Sequence, residues 1–239
     1  MESQFGAKVV LIAGGTGGLG RVAALSFLRE SATVVVTYRD QREFAALKDQ
    51  AAEFSSSLEG HRVDATNEDE VGQMVRMILS AHSRLDILVN AIGGYAGGSP
   101  LWLTSPEVFD RMLALNLRAG FVLSRAVVPV MLKQGSGSIV NVSSKAALDH
   151  AAGAAAYAAS KAASLAMTDC LAADLKGTGV RVNSILPSII DTEANRQAMP
   201  DADFSKWPKP EQIANVILFL CGDGAALIHG AAMPVYGQS

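Results

Sequence analysis

Lys8-Val9-Val10-Leu11-Ile12-Ala13-Gly14-Gly15-Thr16-Gly17-Gly18-Leu19-Gly20 is the stretch that decides the architecture. Its first half is a continuous apolar run rich in β-branched residues, the pattern of a strand buried on both faces of a parallel sheet. Its second half is a glycine-rich turn. Residues 21–29 follow with helical spacing, Val22, Leu25 and Leu28 falling on one side. Glycine clusters are common in ordinary turns. One placed between a buried strand and a helix start is a phosphate-binding candidate, because glycine lets the backbone approach the ligand and the helix N-terminus offers unpaired N–H groups.

The same alternation continues outward from this unit. Residues 33–37, 61–63, 85–89, 138–142, 180–186 and 231–236 read as further strands. Residues 41–54, 66–82, 105–133, 154–176 and 210–220 read as helices, with Thr66-Asn67-Glu68-Asp69-Glu70 a capped acidic start and Pro210 at a helix N-terminus. Strands alternating with helices imply right-handed βαβ units. The expectation is one α/β domain over residues 1–239, a doubly wound, mostly parallel seven-stranded Rossmann sheet. Residues 191–210 form the longest stretch without periodicity. They are expected to be a binding loop, with a disordered insertion as the competing reading.

Composition narrows the function. The chain has 239 residues, 49% of them hydrophobic, and a formal net charge of −3. That size suits one large domain. Near charge balance argues against a nucleic-acid partner. Cys170 and Cys221 have no metal or disulfide spacing and are expected to be small buried side chains. His61, His82, His150 and His229 are scattered, so no metal site is expected. The N-terminal residues carry no signal-like apolar core, and no uninterrupted apolar run reaches bilayer length. The expectation is a soluble cytoplasmic protein with no membrane partner.

Ala13 to Gly20 resembles the Thr-Gly-x-x-x-Gly-x-Gly fingerprint of the short-chain dehydrogenase/reductase family, with Gly14, Gly18 and Gly20 on the glycines and Ala13 in place of threonine. The missing hydroxyl is expected to cost loop order. The resemblance implies a nicotinamide cofactor cradled by Gly14, Thr16, Gly17, Gly18, Leu19 and Gly20. Cofactor choice rests on the end of the second strand, where an acidic residue suits NAD and a nearby arginine suits the 2′-phosphate of NADP. The acidic position is Tyr38, and Arg39 follows, so NADP is expected. Asp40 leaves NAD open, since a slip of one residue brings a carboxylate to the ribose. Asp64 and Ala65 resemble the family's adenine-contacting segment. Asn90, Ala91 and Gly93 resemble its Asn-Asn-Ala-Gly element, with Ala91 and Ile92 departing and some central-sheet hydrogen bonding placed in doubt. Pro187, Ile190 and Thr192 resemble the element that borders the nicotinamide; Ser188 replaces its glycine and must avoid positive φ.

Tyr157-Ala158-Ala159-Ser160-Lys161 puts a phenol and an ammonium four residues apart, on one helix face. A phenol is a poor base near neutrality, with a pKa of about 10, and a neighbouring ammonium and the positive nicotinamide are expected to lower it. In the resembled family these residues, with a serine and an asparagine, form a catalytic tetrad. Ser144 fits the serine's spacing better than Ser143, and Asn116 fits the asparagine. The resemblance implies that Tyr157 is the acid/base, Ser144 bonds the substrate oxygen, Lys161 bonds the nicotinamide ribose, and Asn116 holds a relay water.

The expected activity is hydride transfer between NADP(H) and a small carbonyl or alcohol substrate. Residues 199–207 also resemble the substrate loop of quinonoid dihydropteridine reductases, so such a reductase is one alternative; a non-catalytic dinucleotide sensor is another. Phe204 and Trp207 equally suit burial that fixes the loop. Tyr95, Trp102 and Met199 are pocket candidates, with core packing as the competing reading. Family habit implies a homodimer or homotetramer joined through the long fourth and fifth helices.

Overall fold

The computed structural model describes residues 4–238. Seven strands form one sheet: β1 (Val9–Ala13), β2 (Thr33–Tyr38), β3 (Leu58–Arg62), β4 (Ile87–Asn90), β5 (Gly137–Val142), β6 (Val180–Pro187) and β7 (Ala232–Val235). Their spatial order is β3-β2-β1-β4-β5-β6-β7. Every pairing is parallel, so the sheet is wholly rather than mostly parallel. The order reverses between β1 and β4, and the crevice beyond the strand ends at such a switch point is where open α/β sheets bind ligands.

Helices cover both faces. On one lie α1 (Gly18–Arg29), α2 (Gln41–Ala51) and α8 (Pro210–Cys221), sharing a core with Val10, Ile12, Val34 and Val36. On the other lie α3 (Glu68–His82), α5 (Ala119–Gln134) and α6 (Ala155–Asp174), packed on Val9, Leu11, Val35 and Leu88. Alternate residues of β1 therefore serve opposite cores, which is why its sequence is apolar throughout.

Several boundaries differ from the sequence reading. In α1 the buried residues are Leu19, Gly20, Ala23, Ala24, Phe27 and Leu28, while Val22 and Leu25 are only partly covered. The helix lies beside α8 on the sheet, and small residues allow their close approach. The second helix stops at Ala51, because Ala52 takes a positive φ of 45° and a 3-10 segment, Ala52–Ser57, follows. The third strand starts at Leu58 instead of residue 61; as an edge strand it is half-exposed and lacks the apolar run that would mark it. The helix expected over 105–133 is α4 (Pro106–Leu113) and α5 joined by a π turn, Ala114–Arg118. By length and composition the combined helix is long enough to cross a bilayer, yet Met112, Ala119, Val122, Leu123, Val127 and Met131 are buried in the protein. Cys221 is buried as expected, but Cys170 is exposed on α6.

Residues 191–210 are ordered. A short helix, α7 (Glu193–Ala198), is capped by the Thr192 hydroxyl, which accepts the Asn195 N–H at 3.3 Å. Asp191 pairs with Arg196 in a two-pronged contact of 2.5 and 2.9 Å. The Arg196 guanidinium lies 4.9 Å from the Phe204 ring centre, and Phe204 packs on buried Trp207 at 4.9 Å.

The start of the sheet is held by Asp86. Its buried carboxylate accepts the Val9 N–H at 2.9 Å and is gripped by Arg84 at 2.8 and 2.5 Å. Arg84 remains in contact with water, whereas the Val9 N–H has no access to it. Asp86→Ala strands that donor and is expected to cost about 2 kcal/mol, while Arg84→Ala costs less than about 1 kcal/mol. Urea denaturation of both variants checks the ranking; equal losses would place the stabilisation in the ion pair instead.

Candidate active site

The glycine loop is a close-packed corner. Gly14 has a φ of +77°. A Cβ on Gly20 would sit 2.1 Å from the Gly14 carbonyl oxygen, so α1 can start against the loop only with glycine there. No side chain caps α1 at Gly17, and the first-turn N–H groups of Gly18, Leu19 and Gly20 lack intrahelical acceptors. A helix start of this kind is suited to hold an anion. The hydroxyl missing at Ala13 is replaced from the neighbouring strand: Thr37 Oγ1 accepts the Gly14 N–H at 2.9 Å, and the Thr37 carbonyl accepts the Gly15 N–H at 3.1 Å.

A cavity of about 250 Å³ opens over this loop, lined by Gly14, Thr16, Gly17, Tyr38, Arg39, Ala65, Ala91 and Gly93, all singled out in the sequence, and also by Thr37, Glu43, Ile92 and Leu115. Glu43 was not foreseen; it lies one turn into α2, and only the fold turns it to the cleft, where its Oε2 accepts the Thr16 hydroxyl at 2.8 Å. Asp40 turns the other way. It caps α2 and grips Arg42, which holds its carboxyl down at about 2. The Asp64 carboxylate borders the cavity without lining it and accepts the Thr66 N–H and hydroxyl at 2.9 and 2.8 Å. Asn90 is not brought to the cavity. It is buried, donates to Asn141 Oδ1 at 2.9 Å and accepts the Ile92 N–H at 3.3 Å. Asn141 in turn donates to Ser164 and Thr168, so the central-sheet hydrogen bonding placed in doubt is intact.

Beyond β6, Thr192 packs over α1, where a Cβ on Gly18 would meet its methyl at 2.7 Å. The Ile190 carbonyl accepts the Thr192 N–H and the Asn195 amide, and Pro187 ends the strand. Ser188 avoids positive φ and donates its hydroxyl to the Tyr236 carbonyl at 2.7 Å.

Tyr157 and Lys161 lie one turn apart on α6, facing the end of β5. The Ser144 hydroxyl stands beside the Tyr157 phenol, close enough to favour its phenolate, and accepts the Ala146 N–H at 3.1 Å. Ser143 turns away and donates to the Lys161 carbonyl. Lys161 is 5% exposed, its Nζ donating to the Val142 carbonyl at 3.0 Å, and burial pulls its pKa down to about 8. Burial pushes the Tyr157 phenol up, with the Ser144 hydroxyl opposing and Tyr95 adding. In the protein alone, desolvation of a phenolate outweighs the Ser144 hydroxyl; the expected lowering counts the positive nicotinamide as well as the ammonium.

Asn116 is buried in the π turn, a helix irregularity common at functional sites. Its amide clamps Gly94, accepting the N–H at 2.9 Å and donating to the carbonyl at 3.0 Å, and donates to Ser160 at 2.9 Å. Gly93 lies between Asn116 and Lys161: a Cβ there would be 3.1 Å from both Asn116 Oδ1 and Lys161 Nζ. Tyr95, 67% exposed, sets its ring edge-on to Tyr157 at 5.0 Å and lines a neighbouring cavity of about 500 Å³. Trp102 is exposed and Met199 is partly covered, so neither Tyr95 nor Trp102 is core packing.

Comparison with known proteins agrees with this geometry. The short chain dehydrogenase family profile matches residues 8–203. The chain is 32% identical over 238 residues to the 3-oxoacyl-acyl-carrier-protein reductase FabG of Thermotoga maritima, covering 96% of each. It superposes on NADP-bound ElxO with a TM-score of 0.91 at 26% identity, covering 96% of this chain and 97% of that one. NAD+-bound xylitol dehydrogenase gives a TM-score of 0.90 at 25% identity, covering 98% and 99%. The chain therefore belongs to the short chain dehydrogenase family and is an NAD(P)-dependent oxidoreductase.

Proposed function

We propose that this enzyme transfers a hydride between NADP(H) and a small carbonyl or alcohol substrate, with Tyr157 as its acid/base. The observation that carries this reading is the Tyr157 phenol set beside the Ser144 hydroxyl, with the buried Lys161 one helical turn along α6. A structural role gives little reason to bury an ammonium, which is costly unless its charge is used.

The residues present fit a dinucleotide. The glycine loop and α1 N-terminus would hold the pyrophosphate, the cleft between Arg39 and Gly93 the adenosine and first ribose, and the corner by Lys161, Ile190 and Thr192 the nicotinamide half. When bound, nicotinamide supplies or accepts the hydride. In the reductive direction Tyr157 gives its phenolic proton to the substrate oxygen. The Ser144 hydroxyl donates to the same oxygen, where negative charge develops. Lys161 stabilises the phenolate left behind. The narrow gap at Gly93, between Asn116 and Lys161, suits a proton path back to solvent. Asn116 serves this arrangement by clamping Gly94, not through a free amide.

Arg39 at the cleft and Asp40 turned into the α2 cap support NADP. A pterin reductase fits less well, because Tyr38 stands where an acid is expected and Ser144 stands beside Tyr157. The complete tetrad argues against a sensor. We further propose that the polypeptide is a single dinucleotide-binding and catalytic domain, that residues 191–210 form its substrate loop, and that it is a homodimer or homotetramer. The apolar groove of Leu113, Leu117, Phe121 and Met167 supports an interface on α5 and α6.

Tyr157→Phe is expected to bind cofactor normally and lose nearly all turnover in a carbonyl-substrate screen; normal turnover would refute the acid/base role. In fluorescence-quenching titrations Arg39→Asp should weaken NADPH more than NADH, and equal losses would mean that Arg39 does not read the phosphate. Lys161→Met tests the cost of the buried charge. The folded lysine titrates near 8 instead of 10.5, so at pH 7 the wild type holds an ammonium that its unfolded chain solvates better. The variant should gain about 2 kcal/mol at pH 7, after allowing for the lost hydrogen bond. The gain should shrink between about pH 8 and 10.5, where the folded lysine is neutral and the unfolded one still charged. Denaturation at pH 7, 9 and 10.5 measures this, and a pH-independent difference would contradict it.

A further inference from the structure

Among the described residues, two charged side chains line the cofactor cleft: Arg39 and Glu43. The other groups at the β2–α2 corner are engaged elsewhere. The Tyr38 ring lies parallel on Phe44 at 4.8 Å and its hydroxyl donates to Gln41 at 2.6 Å. Asp40 holds Arg42 and the α2 cap. Glu43 alone reaches across to the glycine loop, where its Oε2 takes the Thr16 hydroxyl proton at 2.8 Å. The carboxylate thereby occupies the corner that the ribose 2′-substituent would share with Arg39, and it commits the loop's one hydroxyl donor.

We propose that Glu43 is a cofactor-discriminating residue that opposes the 2′-phosphate of NADP(H) and accepts a hydrogen bond from the 2′-hydroxyl of NAD(H). This rests on reading the cleft as the adenosine site. A phosphate monoester carries about −1.5 to −2 charges at pH 7. In this corner it meets one guanidinium and one carboxylate, so Arg39 neutralises it less than a lone arginine would. To admit it, Glu43 must swing out and release Thr16, whose hydroxyl then turns to the phosphate. A ribose hydroxyl needs no such change, because it is a donor and the carboxylate is an acceptor. Arg39 and Glu43 thus pull the choice in opposite directions, and their balance sets the ratio.

Glu43→Gln isolates the charge, since the amide oxygen can still accept from Thr16. Dissociation constants for NADPH and NADH are measured by fluorescence quenching for wild type and E43Q, at low salt and in 0.5 M salt by design (about 4 Å screening length). The expected result is NADPH binding tightened by about tenfold, NADH unchanged or weakened, and a smaller NADPH gain in high salt. An equal shift for both cofactors, or none for either, overturns the assignment. The wild-type order of the two affinities, together with Arg39→Asp, tests the NADP reading separately: E43Q must move NADPH selectively whichever cofactor wild type prefers. If wild type binds neither, both readings fall together.

Discussion

The contact between Gly20 and the Gly14 carbonyl is the constraint on which the rest of the molecule turns. It lets α1 begin directly above the end of β1, with no side chain interposed. The helix N-terminus then points its unpaired N–H groups into the crevice at the sheet's switch point. Thr37 on β2 secures the loop from the side, so a hydroxyl from the adjacent strand does what Ala13 cannot. Strand pairing and ligand cradle are thus one feature. The register that sets β2 beside β1 also delivers Thr37, Tyr38 and Arg39 to the loop.

The second corner is organised by polar groups buried at the sheet's centre. Asn90, Asn141, Ser164 and Thr168 form one hydrogen-bonded chain between β4, β5 and α6. With its polar groups paired, the chain fixes α6 over the strand ends at little desolvation cost. Tyr157, Lys161 and Ser144 depend on that placement. The energetic tension is local. Lys161 is buried with a single backbone carbonyl as partner and is pulled to about 8, while the phenol beside Ser144 is pushed up. Two groups held away from their ordinary titration ranges one helical turn apart are characteristic of proton-handling sites.

Much of this was legible from the chain alone, for identifiable reasons. β1, β2 and β5 are buried on both faces, so their apolar runs announce them. The Tyr157–Lys161 spacing implies a shared helix face, and the glycine loop follows a strand. What was misread lies where the local pattern is weak or shared. β3 is a half-exposed edge and was placed three residues late. Val22 and Leu25 looked like the buried side of α1, because periodicity identifies an apolar stripe but not which neighbour covers it. The π turn around Asn116 has no compositional mark, being a backbone response to packing between α4, α5 and α6. The upward push of burial on the Tyr157 phenol is likewise invisible in spacing, since desolvation depends on enclosure.

By itself the sequence determined the alternation of elements, the glycine turn after β1, the shared helix face of Tyr157 and Lys161, and the family, because each depends on local periodicity or on residues close in the chain. Only the tertiary structure decided what depends on distant segments meeting. It set Ser144 beside Tyr157 and turned Ser143 to the Lys161 carbonyl, turned Asp40 into the α2 cap, tied Asn90 to Asn141 within the sheet, and brought Glu43 to Thr16 across 27 positions of sequence. Side-chain direction at a site is set by the packing of the elements that carry it, and no one-dimensional pattern contains that information.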